Sequence, residues 1–449
     1  MANPKNRDER IHHIDILKLS VLLIGYLLAW TPLTIAQERL VHSLSNDEAI
    51  DSLRLEQVIR DVIEHNDRIA AANYMEQSSN AKIGPAGAWD DPMLMVGVVN
   101  LPPSFDFKMD DMTMKMIGIT QKIPYAGEKG LLKKAAKSEA GAANAERRAM
   151  EVDLAMAAKF AYFDLFYSLK NLDDLRRQAD LQNQVVSSAI AKLTSNQAGQ
   201  DEVLAAQADL WRFEAMILTA ETEVSSARFT LNSLRGLNVQ DAPRPLASPP
   251  IISIPEKADQ WLADAERNYA SLRRLQHSSA GYGFLAAASN RMRWPMLDLS
   301  ANYGLRENGP MGPRDNMLGF QATLSIPIFA GRQQGKMAQS MSAMQKSTDA
   351  EYNQLLREVR ADLLTLHEKT RRFTESLKLY RNRIIPAEED AFHSALAGYA
   401  SNRIAFASLL TYSMAIYRDR IAANEIAREL AQTLARAERY ITDPTLWSK

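Results

Sequence analysis

Residues 296–304 read MLDLSANYG and residues 317–326 read MLGFQATLSI, and these two stretches decide the fold. In both, apolar and polar residues alternate with a period of two, which predicts a pair of strands with one apolar face. Strands of about 9 to 11 residues with this alternation suit a bilayer-spanning barrel whose interior is wet. The side chains expected to face lipid are Leu297, Leu299, Tyr303, Leu318, Phe320 and Leu324.

The first half of the chain contains two further strand-like runs, so one chain provides four strands. Four strands are too few to enclose a water-filled lumen. Lipid also tolerates no open strand edge, because unpaired backbone groups cannot be solvated there. The sequence therefore predicts that several copies of the chain share one barrel. The alternative is that the two hairpins pack on a soluble partner.

The two halves of the chain resemble each other. WDDPML at 89–94 matches MRWPML at 292–297, and QKIPYAG at 121–127 matches LSIPIFAG at 324–331. Other pairs, at offsets of 202 to 206 residues, are Asn66 with Asn268, Pro92 with Pro295, Pro124 with Pro327, and Asn196 with Asn402. These matches predict a first repeat at 37–241, a Pro-rich linker at 242–255, a second repeat at 256–441 and a C-terminal tail at 442–449.

Helical periodicity dominates the rest of each half. An opening helix is expected to end near Gly84 in the first half and to span about 256–290 in the second. Long helices are expected at about 127–194 and 331–396, with return helices at about 201–235 and 402–441. Pro386 is a candidate kink in the second long helix. The 11 alanines between Ala135 and Ala161 favour close, coiled-coil packing.

Composition excludes several classes of protein. Among the 449 residues, 53 Lys and Arg balance 54 Asp and Glu, so the net charge of -1 provides no global positive field for nucleic acid. The absence of cysteine excludes disulfides, thiolate metal sites and cysteine nucleophiles. The histidines are scattered, and no phosphate loop or nucleophile elbow is present. The sequence therefore indicates neither an enzyme nor a cofactor.

The first 36 residues have the layout of a secretory signal peptide. Basic residues precede the apolar run LSVLLIGYLLAW at 19–30, and the small residues Thr34 and Ala36 follow it. That run is shorter than the roughly 20 residues of a transmembrane helix. We therefore expect export with cleavage after Ala36, and an uncleaved anchor is the alternative.

The tandem order of helix, two strands, long helix and return helix resembles the TolC family of outer-membrane efflux proteins. VNLPPSF at 99–105 and GITQKIPYAGEKG at 118–130 resemble more narrowly the CusC and CzcC type, which serves heavy-metal pumps. The resemblance implies a mixed α/β membrane protein. In it, three copies form a shared 12-stranded outer-membrane β-barrel, continued into the periplasm by a tunnel of long coiled-coil helices.

The same resemblance implies the partners. A periplasmic adaptor protein and an inner-membrane pump of the resistance-nodulation-division type would act with the homotrimer, and no cofactor is implied. In that family the periplasmic aperture is lined from the start of the return helices. Matching the segments places Asp201, Glu202, Ser408 and Thr411 there. Some members carry aspartates at the last two positions, which this chain lacks. Asp201 and Glu202 could still form an acidic ring that favours cations, and they could equally complement a helix dipole.

Methionine is concentrated around the predicted strands. Nine of the 19 methionines fall within residues 92–124 and 295–327. Met112, Met114 and Met116 are expected on one strand face, together with Gly118, Thr120 and Lys122, so this face is predicted to line the lumen. Thioethers are soft ligands suited to Cu(I) or Ag(I). The alternative is that methionine is flexible apolar filler.

Two other functions are compatible with a chain of long helices. A soluble periplasmic coiled-coil adaptor, bridging a pump and a channel, should carry a domain of closely spaced strands, and no such domain is found in the sequence. A hydrolase on a helical stalk would need a convergent acid, base and nucleophile, and no such set is found either. The resemblance to the TolC family therefore leads us to expect a passive outer-membrane channel for metal ions or small toxic compounds.

Overall fold

The computed structural model describes residues 52–242, 244–249, 258–309 and 312–442. The predicted signal peptide and most of the C-terminal tail lie outside these residues. The described residues divide into two compact units, a small one of residues 52–57 with 241–242 and 244–249 and a large one that holds the other described residues. In the small unit, the backbone N–H of Leu53 donates to the carbonyl of Pro245 (2.8 Å), and that of Ala247 donates back to Leu53 (3.0 Å).

Helices make up most of the described chain. The opening helices of the first half are α1 (Leu55–His65), α2 (Asp67–Ala81) and α3 (Ile83–Gly87). They are followed, after two strands, by α4 (Glu128–Thr194) and α5 (Gln200–Leu234). The second half has α6 (Ala258–Asn268), α7 (Ala270–Arg291), then after two strands α8 (Gln334–Leu379), α9 (Ile385–Ala400) and α10 (Phe406–Ile441). The 67 residues of α4 extend roughly 100 Å.

Three helices predicted as continuous are interrupted. The first opening helix breaks at Asn66, whose extended backbone (φ -85°, ψ 122°) and side-chain bond to the N–H of Arg68 begin a new helix. The second breaks at Tyr269, whose backbone is also extended (φ -64°, ψ 111°) but whose side chain makes no capping bond. A π-helical turn at Tyr380–Ile384 separates α8 from α9, where Pro386 has no N–H for a regular helical bond.

The strands form one four-stranded antiparallel sheet in the order β1 (Met93–Val99), β2 (Met114–Ile123), β3 (Met296–Leu305) and β4 (Met317–Ser325). The two hairpins are joined through β2 and β3, where Ile117 pairs with Tyr303 and Ile123 with Leu297. The strands of both halves lie in the large unit, as do the helices apart from the first three residues of α1. The strands thus occur where the alternation predicts them, and the central pairing unites the two halves.

Small side chains allow the long helices to approach closely. Ala155 and Ala158 of α4 are fully buried, beside the large buried residues Tyr162 and Phe163. A second cluster packs α6, α7, α8 and α10 together around Trp261, Leu272, Leu363 and Leu434. Close packing of this kind supplies dispersion contacts that a loose core lacks. Among the described residues, none of the helices combines enough length with enough apolar content to cross a bilayer.

Positions that match between the two halves make matching contacts. The Asn66 amide donates to the carbonyl of Leu234, the last residue of α5 (3.2 Å). The Asn268 amide donates to the carbonyl of Ile441, the last residue of α10 (2.9 Å). Each asparagine therefore satisfies a carbonyl that a helix end leaves without an intrahelical partner.

The two turns after the long helices also match. Asn196 and Asn402 both adopt the left-handed conformation, with φ of 55° and 59°. The next N–H donates in both turns to the carbonyl five residues before it, from Gln197 to Lys192 and from Arg403 to Gly398, each at 2.8 Å. The duplication stays a prediction, and these shared contacts support it.

We expect Asn268→Ala to destabilise the protein by about 1 kcal/mol, the usual net value of one hydrogen bond. Asn66→Ala should cost about 1 kcal/mol more, because Asn66 also caps α2. The measurement is the thermal midpoint, together with hydrogen exchange in the last turns of α5 and α10. Asn353→Ala, at an exposed position of α8, is the control and should leave both unchanged. Equal effects of all three changes would contradict the capping role.

Candidate functional site

One face of the sheet is apolar and accessible to solvent. The six side chains predicted to face lipid all lie on this face, because strand pairing aligns Leu297 with Leu324, Leu299 with Ala322, Ala301 with Phe320, and Tyr303 with Leu318. Phe320 is 78% exposed, and Leu297, the most covered of the six, is half-buried. An exposed apolar surface of this extent marks contact with a partner or a membrane.

The opposite face carries most of the polar side chains of the sheet, although Lys115 and Gln121 of β2 lie on the apolar face, aligned with Leu305 and Leu299. Its rows across β2, β3 and β4 include Thr120 with Ser300 and Gln321, and Lys122 with Asp298 and Thr323. Met114 and Met116 lie on this face, as predicted. One face of the sheet is therefore mainly apolar and the other carries most of the polar side chains, as a wall between lipid and water would require.

The prediction that Met112 shares this strand face is wrong. β2 begins at Met114, and Met112 lies in the preceding turn, where it is 49% exposed. The Asp110 carboxylate accepts the N–H of Met112 (2.8 Å) and the Asp110 carbonyl accepts that of Thr113 (3.2 Å). These local bonds to Asp110 compete with the cross-strand hydrogen bonds, so the strand begins only at Met114.

The sheet ends in two open edges. Within the described chain, β1 and β4 each have a strand neighbour on one side only. All seven residues of β1 and all nine of β4 are exposed. Long exposed edges of this kind present a row of backbone donors and acceptors to another chain.

The loops of the two hairpins are linked by an arginine that the sequence analysis missed. Arg314, between β3 and β4, donates to the carbonyls of Lys108 (3.3 Å) and Asp110 (3.3 Å). Its guanidinium also pairs with the carboxylate of Asp111. These contacts hold the loop before β2 against the loop before β4. A lone arginine in a polar loop gives no sequence signal for such a role.

The residues predicted at the aperture lie in the first turns of the return helices. Asp201 is exposed and Glu202 is half-buried at the start of α5. Ser408 and Thr411 are exposed near the start of α10, where the Thr411 hydroxyl donates to the carbonyl of Ala407 (2.9 Å). Both acidic side chains therefore stand where a helix dipole favours negative charge.

Glu202 belongs to a cluster that joins the two turns. We define the turn cluster as Lys192, Glu202 and Tyr399. The Tyr399 hydroxyl donates to the Glu202 carboxylate (2.7 Å), and the Lys192 ammonium donates to the Tyr399 carbonyl (2.6 Å). The same ammonium lies 4.0 Å from the centre of the Tyr399 ring. Burial, and then the bond to Glu202, raise the pKa of Tyr399 above its ordinary value, so the hydroxyl keeps its proton.

A buried polar network continues away from the turn cluster. The Gln178 amide donates to the hydroxyl (2.8 Å) and the carbonyl (2.9 Å) of Ser413 in α10. The Ser413 hydroxyl donates to Gln182 (3.3 Å), whose amide donates to the carbonyl of Ala206 in α5 (3.1 Å). These four residues lock the long helix α4 to both return helices, because breaking any bond would leave a buried polar group without its partner.

The chain resembles solved structures of outer-membrane channels over most of its length. It superposes on the outer-membrane channel OprN with a TM-score of 0.73 at 15% identity, covering 87% of this chain and 90% of that one. For CusC, solved in a study of transmembrane channel formation, the TM-score is 0.71 at 14% identity, with 85% and 91% covered. For the outer membrane protein VceC of Vibrio cholerae, the TM-score is 0.71 at 15% identity, covering 86% of this chain and 95% of that one. The chain has the fold of these channels.

The match to the outer-membrane channel fold does not single out the CusC type, since OprN superposes equally well. In sequence, no protein-family model matches the chain and no curated protein matches it. The described residues contain no group of three or more His, Asp or Glu side chains placed to hold a metal ion.

Proposed function

We propose that the protein is a TolC-family outer-membrane efflux channel. Three copies would place their sheets side by side in the outer membrane as a 12-stranded barrel, with the long helices extending into the periplasm as a coiled-coil tunnel. The observation that carries this proposal is the sheet, which has an exposed apolar face, a polar face and two open edges. In lipid, the backbone N–H and C=O groups at the edges of such a sheet can form hydrogen bonds only by pairing with other copies.

The proposed channel conducts its cargo passively and performs no chemistry. A periplasmic adaptor and an inner-membrane pump of the resistance-nodulation-division type would deliver metal ions or small toxic compounds to it. We place Asp201, Glu202, Ser408 and Thr411 at the periplasmic aperture. The Glu202 carboxylate accepts the hydroxyl of Tyr399 and is half-buried. Asp201 is exposed, so its carboxylate is the more accessible negative charge at the aperture.

The alternative is a soluble periplasmic adaptor. Such a protein needs a compact domain of closely spaced strands to contact a pump. Apart from isolated bridges, the strands of the described residues all belong to the one sheet with the exposed apolar face. A soluble protein would leave that face in water, which is unfavourable by about 25 cal/mol per Å². This cost favours the channel.

Membrane fractionation and crosslinking test the proposal together. The full chain should fractionate with the outer membrane and run as a heat-modifiable trimer, whereas release by osmotic shock would favour the adaptor. Since the chain has no cysteine, the double variant Val96→Cys with Phe320→Cys places new thiols only on β1 and β4. A short bis-maleimide should link these into trimers, and each single variant is a control that should remain unlinked. A double variant that stays monomeric would contradict the shared barrel.

A further inference from the structure

Every methionine of the four strands lies on the same face of the sheet. Strand pairing aligns Met95 with Gly118, Met116 with Gly304, and Gly304 with Met317. The strand methionines on this polar face are Met93, Met95, Met114, Met116, Met296 and Met317. The apolar face carries Leu, Ile, Val, Phe, Ala and Tyr side chains, together with Lys115 and Gln121, and no methionine.

This one-sided placement is the reverse of what apolar filler requires. Flexible thioether side chains fill gaps in apolar packing, so filler should occur on the face that is rich in Leu and Ile. Here the methionines instead share a face with Thr120, Ser300, Gln321 and Lys122. Exposure of an apolar side chain to water costs free energy. The placement of these methionines on the polar face therefore calls for another explanation.

Three of these methionines lie next to Gly304, a position without a side chain. Met116 and Met317 are the strand neighbours of Gly304 on either side, each about 4.8 Å away in the sheet. The Met114 sulfur lies over the glycine, 2.6 Å from where a Cβ at residue 304 would stand. Gly304 is itself buried. The missing side chain leaves space that the Met114 thioether occupies, and the residues paired with Gly304 on both neighbouring strands are methionines.

We propose that Met114, Met116 and Met317 form a three-thioether site for a soft monovalent cation, Cu(I) or Ag(I). Thioethers are soft and uncharged, so they suit these ions and compensate a hard divalent ion poorly. The site lies at the end of the sheet next to the hairpin loops, away from the helices. This inference rests on the proposed function, because the polar face lines a lumen only in a closed barrel.

The remaining strand methionines extend the proposed path along the lumen. Met296 begins β3 at the end of the sheet next to α7, and Met93 and Met95 follow on β1 between it and the three-thioether site. Exposed, uncharged ligands bind a cation weakly enough for it to leave, as conduction requires. Met317, for example, remains 45% exposed. The arrangement therefore describes cargo contact and not a resident metal.

Silver titration of the purified trimer in detergent tests the site. In chloride-free buffer, Ag(I) should bind the wild type, with calorimetry giving the affinity and methyl-labelled methionine NMR identifying the sulfurs. The triple variant Met114→Leu, Met116→Leu and Met317→Leu keeps side-chain volume. Since the loss of even an outer-shell partner weakens metal binding about 10- to 100-fold, the loss of the ligands should cost at least about tenfold.

A matched triple variant provides the control. Met337→Leu, Met344→Leu and Met414→Leu changes three exposed methionines on α8 and α10 and should bind Ag(I) like the wild type. Gly304→Val keeps all three sulfurs but fills the space between them, and it too should weaken binding. Zn(II) should show no binding that depends on these methionines.

The outcomes separate this inference from the proposed function. An assembled trimer that binds no Ag(I), or binds it equally well after both triple changes, overturns the three-thioether site and leaves the channel standing. A chain that does not form an outer-membrane trimer overturns the channel and the lumen site together. Binding that is lost only with Met114, Met116 and Met317 supports both.

Discussion

Phe320→Arg should abolish assembly of the trimer in the outer membrane, while Gln321→Arg at the next residue should leave it intact. Phe320 is 78% exposed on the apolar face, where Ala301 of β3 is its strand partner. An arginine facing lipid near the bilayer midplane costs about 2 to 4 kcal/mol, and a trimer would contain three of them. Gln321 lies on the polar face opposite Ser300, where a charge can remain in water.

The measurement is the amount of heat-modifiable trimer in outer-membrane fractions at equal expression of each variant. Leu318→Arg should behave like Phe320→Arg, since both side chains lie on the same exposed face of β4. Thr323→Arg, on the face of Gln321, should behave like Gln321→Arg. If both faces tolerate arginine equally, the assignment of the apolar face to lipid is wrong.

Tyr399→Ala should have the second largest effect. It should lower the free energy of unfolding by about 3 to 5 kcal/mol, the range for removing a fully buried aromatic side chain. Tyr399 is 2% exposed and packs against Phe406, with ring centres 5.6 Å apart. The change also removes the hydroxyl that donates to Glu202 and the ring that faces the ammonium of Lys192. The two turns would then lose the side chain that joins them.

Two variants separate these contributions. Tyr399→Phe keeps the ring and leaves the Glu202 carboxylate without its donor, so it should cost about 1 to 3 kcal/mol. Tyr412→Ala, at a position 40% exposed, should cost far less than Tyr399→Ala. Hydrogen exchange of residues 194–205 and 398–408, together with the thermal midpoint, measures the loosening. If hydrogen exchange in the two turns is as slow in Tyr399→Ala as in the wild type, the turn cluster does not hold the turns together.

Local periodicity predicted the elements well. The alternation at 296–304 and 317–326 corresponds to β3 and β4, and the first long helix differs from its predicted span by one residue at the start. It did not predict the breaks near Asn66 and Asn268, where both asparagine side chains bond to a helix end more than 160 residues away, a contact that has no local sequence signal. The π-helical turn before Pro386 was likewise predicted only as a kink.

In the candidate site, too, local periodicity predicted some features and missed those that depend on distant contacts. The faces of Leu299, Phe320 and Met116 follow from a period of two, which belongs to the strand itself. Met112 was misplaced because the Asp110 side chain competes with the start of the strand. Neither the Tyr399 bond to Glu202 nor the contacts of Arg314 has a sequence pattern, since each joins residues about 200 positions apart.

The sequence alone determined the quantities that short-range geometry controls. These are where helices and strands form, which strand face is apolar, and the matched positions of the two halves. Only the tertiary structure decided that β2 pairs with β3, that the Met114 sulfur lies over Gly304, and that the Lys192 ammonium bonds to the Tyr399 carbonyl. The physical reason is that backbone periodicity depends on neighbours along the chain, whereas packing and hydrogen bonding between distant segments depend on how the whole chain fills space.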